Sequence, residues 1–273
     1  MNSFLQTMCD TSHARMWQAK SVKPLDAVVC EALAMPKMGA LRPNTEGFDL
    51  IAEIKKASPS QGELSQESET DLIQRAVGYA EAGAVAVSVL TEPERFGGDM
   101  EHLRAIAAEL RPLGVPAMRK DFIVDVYQVW EAAAAGAGGV LLILRILDDH
   151  IIMDMLEAAA QARMFVLLEA FDERDLQRAV PFVSVNKRVL VGLNARNLDT
   201  QEVENQRLIT LANRFPPNCL RVAESGLSEA KDAAAVAKAG YQLALVGSAL
   251  MRDKNPKDLV AKMLVAGREA TQW

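Results

Sequence analysis

Residues 126–144, VYQVWEAAAAGAGGVLLIL, contain in one stretch the unit from which most of the chain is built. The first part has apolar residues at helical spacing, and Gly136 stands where a glycine commonly ends a helix. The run GVLLIL that follows, at 139–144, has the length and composition of a buried strand. The stretch therefore predicts a helix, a glycine-capped turn and a strand.

The same unit recurs along the chain, and other amphipathic segments also end in glycine, at Gly83 and Gly240. Strands are predicted at 50–54, 84–90, 115–120, 139–144, 164–169, 188–194, 220–225 and 243–248. After the first two they recur about every 25 residues, which is the length of one βα unit with its loops. Strands that are each followed by a helix predict an α/β protein with the fold of a (β/α)8 TIM barrel.

An open, doubly wound sheet is the alternative arrangement of such units. It is disfavoured because no glycine-rich dinucleotide fingerprint follows the first strand. We expect the barrel to occupy residues 49–273 as the domain that carries the chemistry. Residues 1–48, with helix-like pieces at 3–19 and 25–34, are expected to form an N-terminal helical extension packed on the barrel.

Composition restricts the partners of this chain of 273 residues. The net charge of −6 disfavours a broad basic surface for nucleic acid, and no apolar run is long enough to span a membrane. The N-terminus lacks the apolar core of a signal peptide. Cys9, Cys30 and Cys219 are odd in number, far apart and without metal-ligand spacing. We therefore expect a cytoplasmic protein with buried free thiols, no metal and a small-molecule partner.

Charged residues end the first predicted strand. In the stretch AEIKKASPS, which begins at residue 52, Glu53 and Lys55 share one face of the strand with Ile51. Burying a charge is expensive unless it is paired. Glu53 and Lys55 therefore form either a structural ion pair or part of a working site.

Other strands end in the same way, and the carboxyl ends of barrel strands are where active sites lie. Lys120 continues the face of Met118, and Glu169 continues the face of Leu167. Lysines and glutamates that converge at the same end of the barrel are suited to acid–base catalysis on a small anionic molecule. Arg145 also ends a strand, but we interpret it as a salt-bridged surface residue.

Small polar residues follow the last two predicted strands. Ser225 and Gly226 follow the seventh strand, and Gly247 and Ser248 follow the eighth. In barrels these two loops often bind phosphate through backbone N–H groups. Glycine allows close approach of an anion and serine adds a hydroxyl donor. The alternative interpretation is that these are ordinary turn residues.

Several motifs together carry a resemblance to a known family. The stretches AEIKKASPS, SVLTEPERFGGD, RKDFIVDVYQV, LLE, LNARNL, AESG and VGSALM occur in this order from about residue 50 to 252. They resemble the indole-3-glycerol-phosphate synthases of tryptophan biosynthesis, and the segment that begins SFLQTM resembles the N-terminal extension of that family. The resemblance implies a (β/α)8 carboxy-lyase without metal or organic cofactor. An enzyme of this family would close the indole ring of 1-(2-carboxyphenylamino)-1-deoxyribulose 5-phosphate with loss of carbon dioxide and water.

The resemblance also implies roles for individual residues. Lys120 would be the general acid of ring closure, and Lys55 and Glu169 the acid and base of dehydration. Which lysine serves which step stays open. The implied catalytic residues are Glu53, Lys55, Lys120, Glu169, Asn194 and Ser225. The implied substrate-binding residues are Ser58, Pro59, Phe96, Phe122, Arg196, Glu224, Gly226, Gly247 and Ser248.

The resemblance also implies which residues would orient a catalytic group and which would contact each part of the substrate. Glu53 would orient Lys55 and keep it charged, and Asn194 would bind a substrate hydroxyl. Arg196 and Glu224 would place the polar part of the substrate. The phosphate would be held by Ser58, Ser225, Gly226, Gly247 and Ser248. The anthranilate ring would pack against Pro59, Phe96 and Phe122.

The chain departs from the family pattern at three places. Phe171 stands where the family usually has histidine, Ala195 where it commonly has Asn or Ser, and Gln61 where it has a lysine. None of these changes removes an implied catalytic residue. We expect the loop at 58–68 to act as a mobile lid.

Two other functions fit the same barrel. One is a Schiff-base aldolase acting on a sugar phosphate, with Lys120 as nucleophile. The other is a specialised or non-catalytic paralogue that binds a related phosphate, or that associates with other enzymes of the tryptophan pathway.

Overall fold

Parallel strands close on themselves in the computed structural model, which describes residues 3–38, 41–44, 47–59, 62–185, 188–197, 200 and 202–271. Each barrel strand pairs with the next in sequence, and the last pairs with the first through Asp49 and Leu243. The strands are β1 (Asp49–Ile54), β2 (Ala86–Leu90), β3 (Ala117–Lys120), β4 (Gly139–Ile143), β5 (Phe165–Ala170), β6 (Val189–Asn194), β7 (Leu220–Glu224) and β8 (Leu243–Val246). The predicted (β/α)8 barrel is confirmed, and the open-sheet alternative is excluded.

Helices cover the outside of the barrel. They are α1 (Ser3–Val22), α2 (Leu25–Ala34), α3 (Glu69–Glu81), α4 (Pro93–Phe96), α5 (Met100–Leu110), α6 (Val126–Ala134), α7 (Asp149–Gln161), α8 (Glu173–Arg178), α9 (Val180–Val185), α10 (Asn205–Thr210), α11 (Ala230–Lys238), α12 (Ser248–Arg252) and α13 (Pro256–Thr271). Asp125 caps α6 by accepting a hydrogen bond from the N–H of Tyr127. Gly136 follows α6 at a φ of 87°, a backbone conformation that favours glycine, and it ends the helix as predicted.

Side chains along each strand alternate between two apolar layers. Ile51, Met118, Leu167 and Val222 point into the barrel, whereas their sequence neighbours pack under the helices. The next inward position on each of these strands, two residues later, lies at the carboxyl end. The pleat therefore aims the side chains of Glu53, Lys120, Glu169 and Glu224 into the mouth of the barrel.

The two helices before the barrel pack on its outer surface and across part of its mouth. The pieces predicted at 3–19 and 25–34 are confirmed as α1 and α2. Ser12 of α1 donates a hydrogen bond to the carbonyl of Phe122, and Arg15 donates two to Asp121 at 2.8 and 3.0 Å. A domain boundary at residue 48 stays a prediction, since α1 and the loop after β3 share these contacts.

Two smaller findings concern the rest of the described chain. None of the described helices combines the length and the apolar character that a membrane crossing requires. The cysteines are free, but Cys30 is exposed on α2 and Cys219 is half-buried, so the expectation of buried thiols is met by Cys9 alone. Burial raises the pKa of Cys9 and Cys219 to about 11.

Candidate active site

A cavity of about 400 Å³ opens at the carboxyl ends of the strands. All of the predicted site residues line this cavity: Glu53, Lys55, Ser58, Pro59, Phe96, Lys120, Phe122, Glu169, Asn194, Arg196, Glu224, Ser225, Gly226, Gly247 and Ser248. The fold thus brings together side chains from β1, β3, β5, β6 and β7 and from the loops after β2 and β8. This is the region where the barrel architecture places chemistry.

Glu53 and Lys55 form a close ion pair at the end of β1. The Nζ of Lys55 lies 2.6 Å from Oε1 of Glu53, and the two side chains are 13% and 4% exposed. Gly247, which follows β8, provides room for the carboxyl, because a Cβ there would lie 2.1 Å from Oε1. Most of the pair is buried, as expected of a structural ion pair, but it also borders the cavity, as expected of a working site. Both interpretations from the sequence therefore apply.

A second pair lies across the mouth at Lys120 and Glu169. The Nζ of Lys120 is 3.6 Å from Oε1 of Glu169, and Asn194 donates a hydrogen bond to the same oxygen at 2.7 Å. Asn194 is itself oriented by the backbone N–H of Arg196, which donates to its Oδ1 at 2.9 Å. The loose lysine contact and the close amide contact leave the Lys120 ammonium free to approach a ligand.

Electrostatics keep Lys120 protonated. Burial alone would lower the pKa of this lysine, but the negative charge of the neighbouring carboxyls, that of Glu169 most of all, outweighs burial and raises that pKa above its ordinary value. An ammonium group held in this way is a proton donor and an electrostatic anchor for a negative oxygen.

The turn after β7 lies on another side of the cavity. Ser225 and Gly226 have φ angles of 65° and 80°, and Asn205 donates a hydrogen bond to the carbonyl of Gly226 at 3.3 Å. Ser225 is a non-glycine residue in the left-handed region, a conformation that persists where the surrounding structure imposes it. Ser58 contributes a buried hydroxyl without a hydrogen-bond partner among the described residues.

An aromatic wall lies near the loop after β3. The ring centroid of Phe122 is 6.3 Å from that of Phe96 and 6.1 Å from that of Phe4. Leu5 also lines the cavity, so α1 forms part of the wall. Sequence reasoning missed Phe4 and Leu5, although the resemblance of the segment that begins SFLQTM was the available signal.

Further lining residues were missed or left unassigned. These are Leu90, Asp121, Leu141, Ile143, Phe171, Val203, Asn205, Leu227, Ser228, Leu245, Val246, Ala249 and Arg252. Most are apolar residues or members of loops, which carry no chemical signal by themselves. Arg145 pairs with Asp172 and Asp175, in agreement with its interpretation as a salt-bridged residue.

The departures from the family pattern lie in different places. Phe171 lines the cavity, with the guanidinium of Arg145 5.1 Å from its ring centroid. Ala195 is fully buried beneath the mouth, and its N–H donates to the carbonyl of Glu224 at 2.8 Å. Gln61 falls outside the described residues. The predicted lid at 58–68 contains part of a short hairpin, Ala57–Ser58 with Gly62–Glu63, and its closure stays a prediction.

Fold and cavity together define a (β/α)8 barrel with a pocket of paired lysines and glutamates at the carboxyl ends of its strands. The family model for indole-3-glycerol phosphate synthase matches residues 5–263. The chain belongs to this family.

Named relatives support this membership over most of their length. An indole-3-glycerol phosphate synthase from Kineococcus radiotolerans is 40% identical over 237 residues, which cover 86% of this chain and 83% of the relative. A synthase of the same name from Streptomyces griseus subsp. griseus is 35% identical over 267 residues, covering 97% and 96%. The similarity therefore includes the N-terminal helices as well as the barrel.

Solved structures of lower identity share the fold. The 3-hexulose-6-phosphate synthase of Salmonella typhimurium has a TM-score of 0.65 at 15% identity, covering 82% of this chain and 100% of that one. The phosphoribosyl anthranilate isomerase of Thermotoga maritima has a TM-score of 0.56 at 15% identity, covering 81% and 99%. Likeness at this identity establishes the barrel but not the activity.

Proposed function

We propose that the chain closes the indole ring of 1-(2-carboxyphenylamino)-1-deoxyribulose 5-phosphate as a carboxy-lyase, with loss of carbon dioxide and water. The observation that carries this proposal is the convergence of two ion pairs on one cavity, each made by a buried glutamate and a half-buried lysine: Glu53 with Lys55 and Glu169 with Lys120. Acid–base catalysis requires such groups within reach of one substrate, in a site that excludes water.

The proposed reaction begins with ring closure. The aryl carbon that bears the carboxylate attacks the ketone carbon, and the carbonyl oxygen takes a proton from Lys120 and becomes a hydroxyl. Cleavage of the bond to the carboxylate then returns its electron pair to the ring and releases carbon dioxide. The raised pKa of Lys120 supports this role, because the lysine keeps its proton until the oxygen gains negative charge.

Dehydration completes the indole. The new hydroxyl leaves as water with a proton from an acid, and a base removes the proton from the adjacent carbon. We assign the acid to Lys55, which Glu53 holds at 2.6 Å, and the base to Glu169, which Asn194 holds at 2.7 Å. Each group is oriented by a neighbour, as catalysis by positioned acids and bases requires.

The two ends of the substrate match opposite sides of the cavity. β3 and β7 are four strands apart in the closed barrel, so the loops that follow them face each other. We assign the anthranilate ring to Pro59, Phe96 and Phe122. We assign the phosphate to the turns at Ser225–Gly226 and Gly247–Ser248, together with Ser58, and the polar middle to Arg196 and Glu224.

A Schiff-base aldolase is the second candidate, and one observation disfavours it. A lysine nucleophile must be neutral, but the charges around Lys120 raise its pKa. Borohydride in the presence of a keto-sugar phosphate would trap an adduct on Lys120 in an aldolase. Active ring closure without such an adduct would exclude this function.

We infer from the family that the reaction serves tryptophan biosynthesis in the cytoplasm. Association with other enzymes of that pathway is an expected but separate property. Co-sedimentation with the purified enzyme that makes the substrate would test it, and sedimentation as separate species would count against it.

The proposed activity is tested directly by mixing the purified protein with its proposed substrate and following indole fluorescence. Lys120→Ala is the informative variant, and Lys56→Ala is the matched control, because Lys56 does not line the cavity. Indole formation by the wild type and by Lys56→Ala, with loss in Lys120→Ala, is the expected result. Equal rates in all three proteins would remove Lys120 from the acid's role, and no indole from a folded wild type would contradict the function.

A further inference from the structure

Glu224, at the end of β7, is a buried carboxyl whose protonation state the reaction above leaves unassigned. The residue is 1% exposed. Within the part of the chain that the structure describes, no hydrogen-bond donor was found for either carboxyl oxygen. A buried carboxylate with neither a donor nor a close cation is strongly disfavoured, so this group requires a different explanation from Glu53 and Glu169.

The carboxyl of Glu224 has room in its position because Gly192 on the neighbouring strand has no side chain. A Cβ on Gly192 in β6 would lie 1.9 Å from Oε1 of Glu224, so the carboxyl occupies the space where another residue would place its side chain. Gly192 is the register partner of Glu169 on β5. The carboxyl of Glu224 therefore lies over β6, beside the position that pairs with Glu169, and the two carboxyls interact electrostatically.

The cations of the site approach the other two carboxyls. Lys55 contacts Glu53 at 2.6 Å, and Lys120 contacts Glu169 at 3.6 Å. Arg196, in the loop after β6, interacts electrostatically with Glu53. Glu224 forms no ion pair among those found in the described chain, although Lys120 is near enough to act on it at longer range.

We propose that Glu224 holds a proton at neutral pH and donates it in a hydrogen bond to Glu169, so that the two carboxyls share one proton and one negative charge. Glu169 is then fixed from two sides, by the amide of Asn194 and by the hydroxyl of Glu224. Glu224 acts as a positioning residue for the base, and Gly192 provides the space that the pair needs. The effect on the rate rests on the proposed function, whereas the shared proton does not.

The local electrostatics agree with this arrangement. Burial and the charge of Glu169 raise the pKa of Glu224 well above the ordinary value of a carboxyl, and the opposing effect of Lys120 is smaller. Two facing carboxyls that interact strongly titrate as a unit, so the proton belongs to the pair.

Infrared spectroscopy of the protein without substrate tests the shared proton independently of activity. The wild type at neutral pH is expected to show the carbonyl stretch of a protonated carboxyl, and Glu224→Gln is expected to lose it. Glu92→Gln is the matched control, because Glu92 is buried but accepts hydrogen bonds from three backbone N–H groups. Absence of the band from the wild type, or its persistence in Glu224→Gln, would overturn the proposal even if the protein makes indole.

The pH dependence of kcat provides a second readout. We expect an alkaline fall in the wild type as the pair loses its proton. Glu224→Gln, whose amide can still donate to Glu169, should lose about tenfold in kcat and should lack this fall. Glu224→Ala, which cannot donate, should lose about a hundredfold. An alkaline fall that is identical in the wild type and Glu224→Gln would contradict the assignment.

Gly192→Ala tests the geometry without removing a polar group. The added methyl would displace the carboxyl of Glu224 from Glu169, so the infrared band should shift or vanish and kcat should fall about as in Glu224→Ala. A folded Gly192→Ala protein that retains the wild-type band would show that the carboxyl does not depend on this space, and would overturn the proposed arrangement.

Discussion

β3 separates two charged clusters that differ in how completely their hydrogen bonds are made. Arg119 and Lys120 are adjacent in sequence and point to opposite faces of the strand. Arg119, whose side chain is 2% exposed, belongs to a cluster under the helices. Lys120, at 18%, belongs to the cluster in the mouth of the barrel. The same strand thus buries one positive charge for structure and holds another at the cavity.

The Arg119 cluster is closed. Each guanidinium nitrogen of Arg119 donates at least one hydrogen bond: Nε to Thr91, one terminal nitrogen to Gln128 and Glu131, and the other to Asp121. The oxygens of Asp121 also accept hydrogen bonds from Arg15, Thr91 and the N–H of Phe122. Full pairing of Arg119 and Asp121 stabilises one arrangement and leaves these two residues little capacity for a ligand.

The Lys120 cluster is open. Lys120 and Glu169 are 3.6 Å apart, and the hydroxyl of Ser58, which lines the same cavity, has no hydrogen-bond partner among the described residues. Unmade hydrogen bonds in a cavity are available to a substrate, at a cost in stability of the free protein. The comparison teaches that incomplete pairing, more than charge or burial, distinguishes the working cluster from the structural one.

The largest expected effect is on the open cluster. Lys120→Met should lower kcat by about a thousandfold, because it removes a proposed general acid. Its free energy of unfolding should fall less than it does on loss of Asp121, because Lys120 makes one loose ion-pair contact, at 3.6 Å, and Asn194 still donates to Glu169. Urea unfolding and steady-state kinetics on the same samples measure both. A large loss of stability would mean that Lys120 belongs to the structural class.

The closed cluster should respond in the opposite way. Asp121→Ala leaves Arg119 and Arg15 without their shared carboxylate, so the free energy of unfolding should fall by about 3 kcal/mol. Urea unfolding monitored by circular dichroism checks this value. Asp154→Ala on α7 is the control, because that side chain is exposed on the helix surface. Equal stability of both variants would contradict the structural role of Asp121.

A smaller effect should connect the two clusters. Arg15→Met removes the two hydrogen bonds that α1 makes to Asp121, and Asp121 directly follows Lys120 in the chain. We expect kcat to fall about tenfold, since misplacement of a catalytic group weakens catalysis without preventing folding. Arg104→Met, in an exposed ion pair on α5, should leave kcat unchanged. Equal kcat values for Arg15→Met and Arg104→Met would show that α1 does not help to position Lys120.

The smallest effect concerns acid stability. Burial alone would raise the pKa of Asp121, but Arg119, Arg15 and Thr91 hold it well below the ordinary value of 3.8. A carboxyl with a lowered folded-state pKa contributes stability above its unfolded pKa and loses that contribution as the pH falls further. Asp121→Asn should therefore show a shallower loss of unfolding free energy below about pH 4 than the wild type does. Parallel slopes in urea titrations at several acidic pH values would contradict this linkage.

Local signals explain what could be predicted from the sequence. The apolar runs and their glycine caps, such as Gly136, located the strands and helices, and the period of two placed Lys120 and Glu169 on inward faces. Chemical roles came from the resemblance, because residues such as Ser225 and Gly247 look like ordinary turn residues by themselves. Each of these features depends on a few neighbouring positions.

Long-range contacts explain what was missed. Phe4 and Arg15 gain their positions only when α1 docks on a loop more than a hundred residues away. Gly192 resembles any glycine in a strand until the carboxyl that fills its space is known. Arg119 could be expected to be buried from the period of its strand, but its partners come from α6 and from the loops after β2 and β3.

The docking of α1 also has a consequence for the order in which the protein matures on the ribosome. Translation delivers α1 before its docking partners, because Asp121 and Phe122 emerge 106 and 110 residues after Arg15 and Ser12. β1 likewise waits for β8 near the end of the chain before the barrel can close. A nascent chain therefore carries α1 without its docking partners for about a hundred residues of synthesis, and the aromatic wall that this helix completes can form only after β3 and the loop that follows it have been made.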